Sequence, residues 1–185
     1  MQKYNFSYLY ISLYTIVFDQ LSKIAVRTYM PDREIPVIGE FFKLTHVQNS
    51  GAAFSLSIGS EVTNRIVFSI VTFFMIFVIL YLLSQSKHFL EKISYSLIIG
   101  GAIGNLADRA LLGSVTDFLD FDFFTINIKR FDFYMDRWPI FNIADSSIVV
   151  AISLLLFYVI FLERHTQTEK KATNVPEGEN QNAEI

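Results

Sequence analysis

"IVFSIVTFFMIFVILYLLSQS", Ile66 to Ser86, decides the architecture. These 21 residues lie between Arg65 and Lys87 and carry no charge. About 20 apolar residues in a helix cross about 30 Å of hydrocarbon, so the stretch is predicted to span a membrane. Bulk composition is less telling. The chain of 185 residues is 52% hydrophobic with a mean hydropathy of +0.38, and soluble proteins reach about 45–50% apolar. The arrangement of the apolar residues carries the information.

Outward from this helix, three other segments have the same character, each with a polar interruption. Tyr4 to Phe18 is charge-free but reaches full span only by including Asp19 and Lys23. Ile93 to Ala107 ends at Asp108 and Arg109, and Ser146 to Leu162 is headed by Asp145. An ionised carboxylate at membrane depth costs on the order of 2.5–3.5 kcal/mol on insertion scales. Four crossings bring the end of the first helix, the end of the third and the start of the fourth to one membrane face. All the costly residues then gather there. Converging intramembrane ionisable groups mark a functional site; taken singly, each also fits a helix end at headgroup level.

The expected fold is an all-α membrane protein. It is a four-transmembrane-helix bundle with helices at about 6–27, 62–84, 93–112 and 142–162. "FFKLTHV" (Phe41 to Val47) is rich in strand-forming residues and is bounded by turn signals. It predicts a small extracytoplasmic β-sheet at about 33–58, followed later by an outer loop or flap at 113–141. Residues 1–162 form the membrane domain. Residues 163–185 are polar and read as a disordered cytoplasmic tail. Charge does not orient the chain by simple counting. Lys87 and Lys92 in one short turn, with Lys3, Arg164, Lys170 and Lys171, place the termini in the cytoplasm, since short loops weigh most.

Several chemistries are disfavoured. The chain has no cysteine, which removes disulfide and thiolate chemistry. His46, His88 and His165 lack ligand spacing, so no metal is expected. A net charge of −3 does not suggest nucleic acid. The first apolar stretch runs into Asp19 and Lys23, which argues against a cleaved leader.

In "IIGGAIGNLADR", Gly101, Asn105 and Arg109 share one helix face by their i, i+4, i+8 spacing. Gly100 and Gly104 form a small-residue pair suited to close helix packing. Packing has no use for Asn105 or Arg109. Asp117 follows this helix by about a turn, and Asp145 opens the next just after Asn142. Two carboxylates sharing a site cannot both ionise freely, so one keeps its proton. Such a pair can hydrolyse an amide without metal or other cofactor. Asp120, Asp122, Asp132 and Asp136 compete for the role, but by composition they look like solvated surface charges. A small ion-coupled carrier, or a scaffold with an outer binding surface, also accommodates buried charges. The carrier leaves the one-sided clustering unexplained, and the scaffold leaves Asn105 and Arg109 unexplained.

Five ordered blocks then narrow the choice: "DQLSK" (Asp19 to Lys23), "VQNSGAAFSL" (Val47 to Leu56), "GGAIGNLADR" (Gly100 to Arg109), "VTDFLDF" (Val115 to Phe121) and "FNIADSSI" (Phe141 to Ile148). Together, across residues 8–162, they resemble the lipoprotein signal peptidases, the type II signal peptidases of bacteria. The resemblance implies an aspartic endopeptidase of the bacterial inner membrane with its active site at the extracytoplasmic face. It would cleave prolipoproteins just before a diacylglyceryl-modified cysteine. It implies Asp117 and Asp145 as catalytic, with Asp19, Lys23, Asn49, Gly51, Gly101, Asn105, Arg109, Asn142 and Ala144 shaping the site. It also implies membrane lipid and lipid-modified prolipoproteins as partners, a monomer, and inhibitors of the globomycin type. The connection from Asp117 to Asp145 is longer than the family pattern, and its aromatics suit a membrane anchor or a lid.

Overall fold

The computed structural model describes residues 5–31, 33–51, 59–123, 126–128, 133–135 and 137–163. The expected tail beyond Glu163 and the 52–58 part of the expected sheet lie outside these residues, as do Asp132 and Asp136.

The chain is mostly helical. A 3-10 turn, Asn5–Tyr8, leads into α1 (Leu9–Tyr29). Strands β1 (Glu34–Ile38) and β2 (Phe42–Asn49) follow as a hairpin. Gly39 sits in its turn at φ 49°, a left-handed conformation that costs glycine little. Then come α2 (Glu61–Gln85) and α3 (Phe89–Leu111). β3 (Val115–Phe121) precedes a short hairpin of β4 (Ile126–Ile128) and β5 (Phe133–Met135). α4 (Ile143–Phe157) continues as a π-helical segment, Tyr158–Glu163.

Local chemistry starts each later helix. The Ser60 side chain accepts from the Thr63 N–H at the head of α2. His88 and Glu91 form a capping box on α3, and Asn142 and Asp145 form another on α4. Among the described residues, three helical stretches are long and apolar enough to cross a membrane by length and composition: Phe6–Tyr29, Glu61–Gln85 and Ile143–Leu162. α3 is as long, at 23 residues, but more polar. The reason lies in its place. It packs against α1, α2 and α4 at once. Its buried positions are Ser94, Ser96, Ile99, Gly100, Gly101, Gly104, Asn105 and Asp108. Small residues there let the neighbours come close. A Cβ on Gly100 would lie 2.7 Å from Thr15 Cβ of α1, and one on Gly101 would lie 2.5 Å from the Ala144 carbonyl oxygen of α4. α2 and α4 instead turn large side chains outward, Phe74 and Val149 among them.

The sheet has the order β1-β2-β3, all antiparallel. Its third strand comes from the stretch expected to be loop after 113. Gly113, at φ 90°, turns the chain out of α3, and the β-branched and aromatic residues of "VTDFLDF" then pair with the second edge of β2. Asp117 therefore sits on a strand, opposite Val47. Asp120 departs from the solvated role expected for it. It is buried, accepts from Thr45 Oγ1 at 3.1 Å, and pairs with Arg137 Nε at 3.0 Å. Asp122 is more open and lies 3.4 Å from Arg137 Nη1. Among the described residues, two small apolar cores result. Val26, Met30 and Phe118 join sheet to bundle, while Ile79, Leu83 and Ile99 lie among the helices.

Candidate active site

Asn142 occupies the centre. Its side-chain oxygen accepts from the Asp145 N–H at 3.0 Å, as the cap of α4. That contact turns its amide nitrogen the other way. The nitrogen donates to Asp117 Oδ1 at 2.7 Å and to Asn105 Oδ1 at 3.1 Å. Its backbone N–H donates to Asp145 Oδ2 at 3.2 Å. One residue thus touches both carboxylates.

Each carboxylate has a second amide partner. Asn49, at the end of β2, donates to Asp117 Oδ2 at 3.0 Å, and its own oxygen accepts from the Gly51 N–H at 2.9 Å. Asn105 donates to Asp145 Oδ1 at 2.8 Å. The orientation of Asn105 follows from Lys23, whose ammonium can only donate. Lys23 Nζ lies 2.8 Å from Asn105 Oδ1, which leaves the amide nitrogen for Asp145. Lys23 is fully buried and pairs with Asp19 Oδ2 at 2.9 Å. Asp19 Oδ1 accepts from the Ala144 N–H at 2.9 Å. Arg109 donates to the Gly51 carbonyl at 3.3 Å and interacts electrostatically with Asp145, Asp117 and Asp108.

Burial pushes the Asp117 carboxyl up to about 6, and the neighbouring Asp145 charge adds to the rise; donation from Asn49 and Asn142 opposes it. A cavity of about 360 Å³ opens on Asp117. Asn49, Gly51, Glu61, Asn64 and Pro139 are among its walls. The setting suits acid–base work: two hydrogen-bonded carboxylates, one at a cavity wall, with a cation close by.

All eleven residues singled out from the sequence lie in this one region. Gly101 reaches it through packing alone, by letting the Ala144 backbone approach. Sequence reasoning missed four others. Asp108 is 1% exposed and accepts from the Thr116 N–H at 2.9 Å. Its other oxygen lies 3.2 Å from Gln20 Nε2 and 3.5 Å from Arg27 Nη1. Arg27 also donates to Thr116 Oγ1 at 2.9 Å. A signal for Asp108 was present: Gly104 and Asp108 are i, i+4 and share the face toward α1. A Cβ on Gly104 would lie 2.5 Å from Asp19 Oδ2. Arg27, Gln20 and Thr116 left no comparable mark.

A family model described as signal peptidase (SPase) II matches residues 11–161. A lipoprotein signal peptidase of Borreliella burgdorferi (strain ZS7) is 37% identical over 169 residues, 88% of this chain and 94% of its own. One from Halothermothrix orenii is 38% identical over 80% of this chain and 92% of its own. A solved bacterial membrane enzyme shares 28% identity at a TM-score of 0.68, covering 96% of this chain and 98% of its own. A second shares 30% at 0.69, covering 87% and 98%. The chain belongs to the signal peptidase II family, the lipoprotein signal peptidases.

Proposed function

We propose that Asp117 and Asp145 are the acid–base pair with which this signal peptidase removes signal peptides from prolipoproteins. The observation that carries the reading is Asn142, which donates to both carboxylates from one residue. Charge balance supports a shared proton. Asp19, Asp108, Asp117 and Asp145 face the cations Lys23, Arg27 and Arg109, so one proton neutralises the set. A buried group of net charge takes up a proton rather than stay charged. The pair therefore titrates as a unit.

The ionised member removes a proton from water, whose oxygen attacks the scissile carbonyl carbon. The protonated member hydrogen-bonds the carbonyl oxygen. As the C–N bond breaks, a proton passes from the pair to the leaving nitrogen. No metal takes part. The substrate is cut just before its diacylglyceryl-modified cysteine. Its apolar signal segment stays in the bilayer, so the catalyst sits at the bilayer's edge.

All four helices cross the inner membrane. α3 can do so despite its composition because its polar residues turn toward the other helices. The termini are cytoplasmic, the site is extracytoplasmic, and the enzyme works as a monomer.

The test is a gel-shift assay in detergent with a diacylglyceryl prolipoprotein. Asp117→Asn and Asp145→Asn should each fold and be inactive, and a chelator should change nothing. Full activity in either folded variant overturns the pair. Inhibition by chelator overturns the metal-free step.

A further inference from the structure

The residues that immediately precede the two aspartates are held alike. The N–H of Ala144, just before Asp145, donates to Asp19 Oδ1 at 2.9 Å. The N–H of Thr116, just before Asp117, donates to Asp108 Oδ2 at 2.9 Å. Both acceptors are buried carboxylates, 0% and 1% exposed. Both are joined to Lys23, at 2.9 Å and 3.5 Å. Gln20 Nε2 also reaches both, at 3.1 Å and 3.2 Å.

The need for the second clamp follows from the fold. Asp145 rides on a helix, whose first turn is set by its cap. Asp117 rides on a sheet strand, and that strand must be registered against the bundle. Bonds between β3 and its neighbours outside the sheet do this. The N–H groups of Phe118 and Leu119 both reach the Phe141 carbonyl, at 3.0 Å and 2.8 Å. Asp108 holds the strand on the other side of Asp117. Arg27 and Gln48 grip the Thr116 hydroxyl at 2.9 Å and 3.3 Å. On that side Asp108 holds the Thr116 N–H at 2.9 Å, while the Thr116 carbonyl accepts from Asn142 Nδ2 at 3.4 Å.

We infer that Asp108 is a positioning residue. Bridged by Lys23 to its counterpart Asp19, it fixes the separation of the two aspartates by holding the backbone of Thr116. This rests on Asp117 and Asp145 being the reactive pair. Asp108 touches neither carboxylate and acts through the strand.

Two variants test it. Asp108→Asn weakens the acceptor while keeping the shape. A threonine α-hydroxy acid at 116, introduced by nonsense suppression, replaces only the N–H with oxygen. In detergent, kcat and KM are measured on a diacylglyceryl prolipoprotein beside thermal melts. Each variant should lose about tenfold to 100-fold in kcat, the scale of a small misplacement of a reacting group. KM should change by less than about twofold, because the loss is confined to the transition state. Unchanged kcat in either folded variant overturns the proposal, as does a loss carried by KM alone. If Asp108→Asn does not fold, the ester variant decides. If neither folds, Asp108 serves only the fold and the proposal is overturned. Full activity of folded Asp117→Asn and Asp145→Asn would instead refute the reactive pair, whatever Asp108 does.

Discussion

The two sides of the site are built differently. On the helix side, Asp145 has a local hold beside its distant ones, Asn105 on its carboxylate and Asp19 on the N–H before it. Asn142 and Asp145 cap each other across three residues, so the first turn of α4 itself orients the carboxylate. On the strand side, Asp117 owes its place to distant chain. Asn49 comes from 68 residues away, Asn142 from 25, and the backbone beside it is held by α3. A helix cap is stabilised by local bonds between residues three apart. A strand has no local partner and takes its register from its neighbours. Positioning on the strand side therefore depends on the whole assembly.

Three measurements break or sharpen this contrast. The largest effect is expected for Asn142→Ala, which strikes both sides together. It removes the cap of α4, worth about 1 kcal/mol. It also removes the donor to Asp117, and kcat should fall by about 100-fold or more, as for a displaced reacting group. A folded variant within a few-fold of the parent would show that the two sides are independent of Asn142.

Next comes Gly101→Ala, which acts on the helix side alone. The new Cβ would lie 2.5 Å from the Ala144 oxygen and 2.6 Å from Ser147 Oγ. α4 must move away, at a cost of about 1–3 kcal/mol for overpacking. Thermal melts should show the loss, and activity should fall because Asp145 moves with the helix. Full activity with a lowered melting temperature would separate packing from catalysis.

The smallest effect isolates the strand side. Asp117 titrates near 6 in the folded chain, above its ordinary value of 3.8. Between these values the folded chain holds a proton that the unfolded chain releases. Stability from this group is therefore fully present at the acid end and declines as pH rises through that window. The Asp117 contribution to the melting temperature should be larger at the acid end than at neutral pH, by a few degrees. Asp117→Asn should reduce that difference. An identical pH dependence in both would mean that burial does not raise the Asp117 carboxyl.

Much of the helical part was legible. Ile66 to Ser86 reads as a span because a charge-free run of that length matches the thickness of the hydrocarbon. α3 was harder. Its glycines and serines make it too polar for a helix in lipid and suitable for one among other helices. Its role depends on neighbours that its own sequence does not name. The face carrying Gly101, Asn105 and Arg109 is visible from spacing, while the adjacent face of Gly104 and Asp108 shows its partner only in the fold. β3 looks like loop in the sequence because its pairing edge belongs to residues far back in the chain. Asp120 looks solvated for the same reason, since Thr45 and Arg137 converge on it only in the fold.

The sequence by itself determined that this chain is a membrane protein of the signal peptidase II family, since apolar run length and ordered blocks are local properties. It also determined the cap that aims Asp145, because Asn142 lies three residues away. Only the tertiary structure decided that Asp117 stands on a strand, that Lys23 polarises Asn105 toward Asp145, and that Asp19 and Asp108 grip matching backbone positions. Those are contacts between groups up to 125 residues apart. Hydrogen bonds reach about 3 Å, so nothing in the linear order of a chain can specify them until packing has brought its segments together.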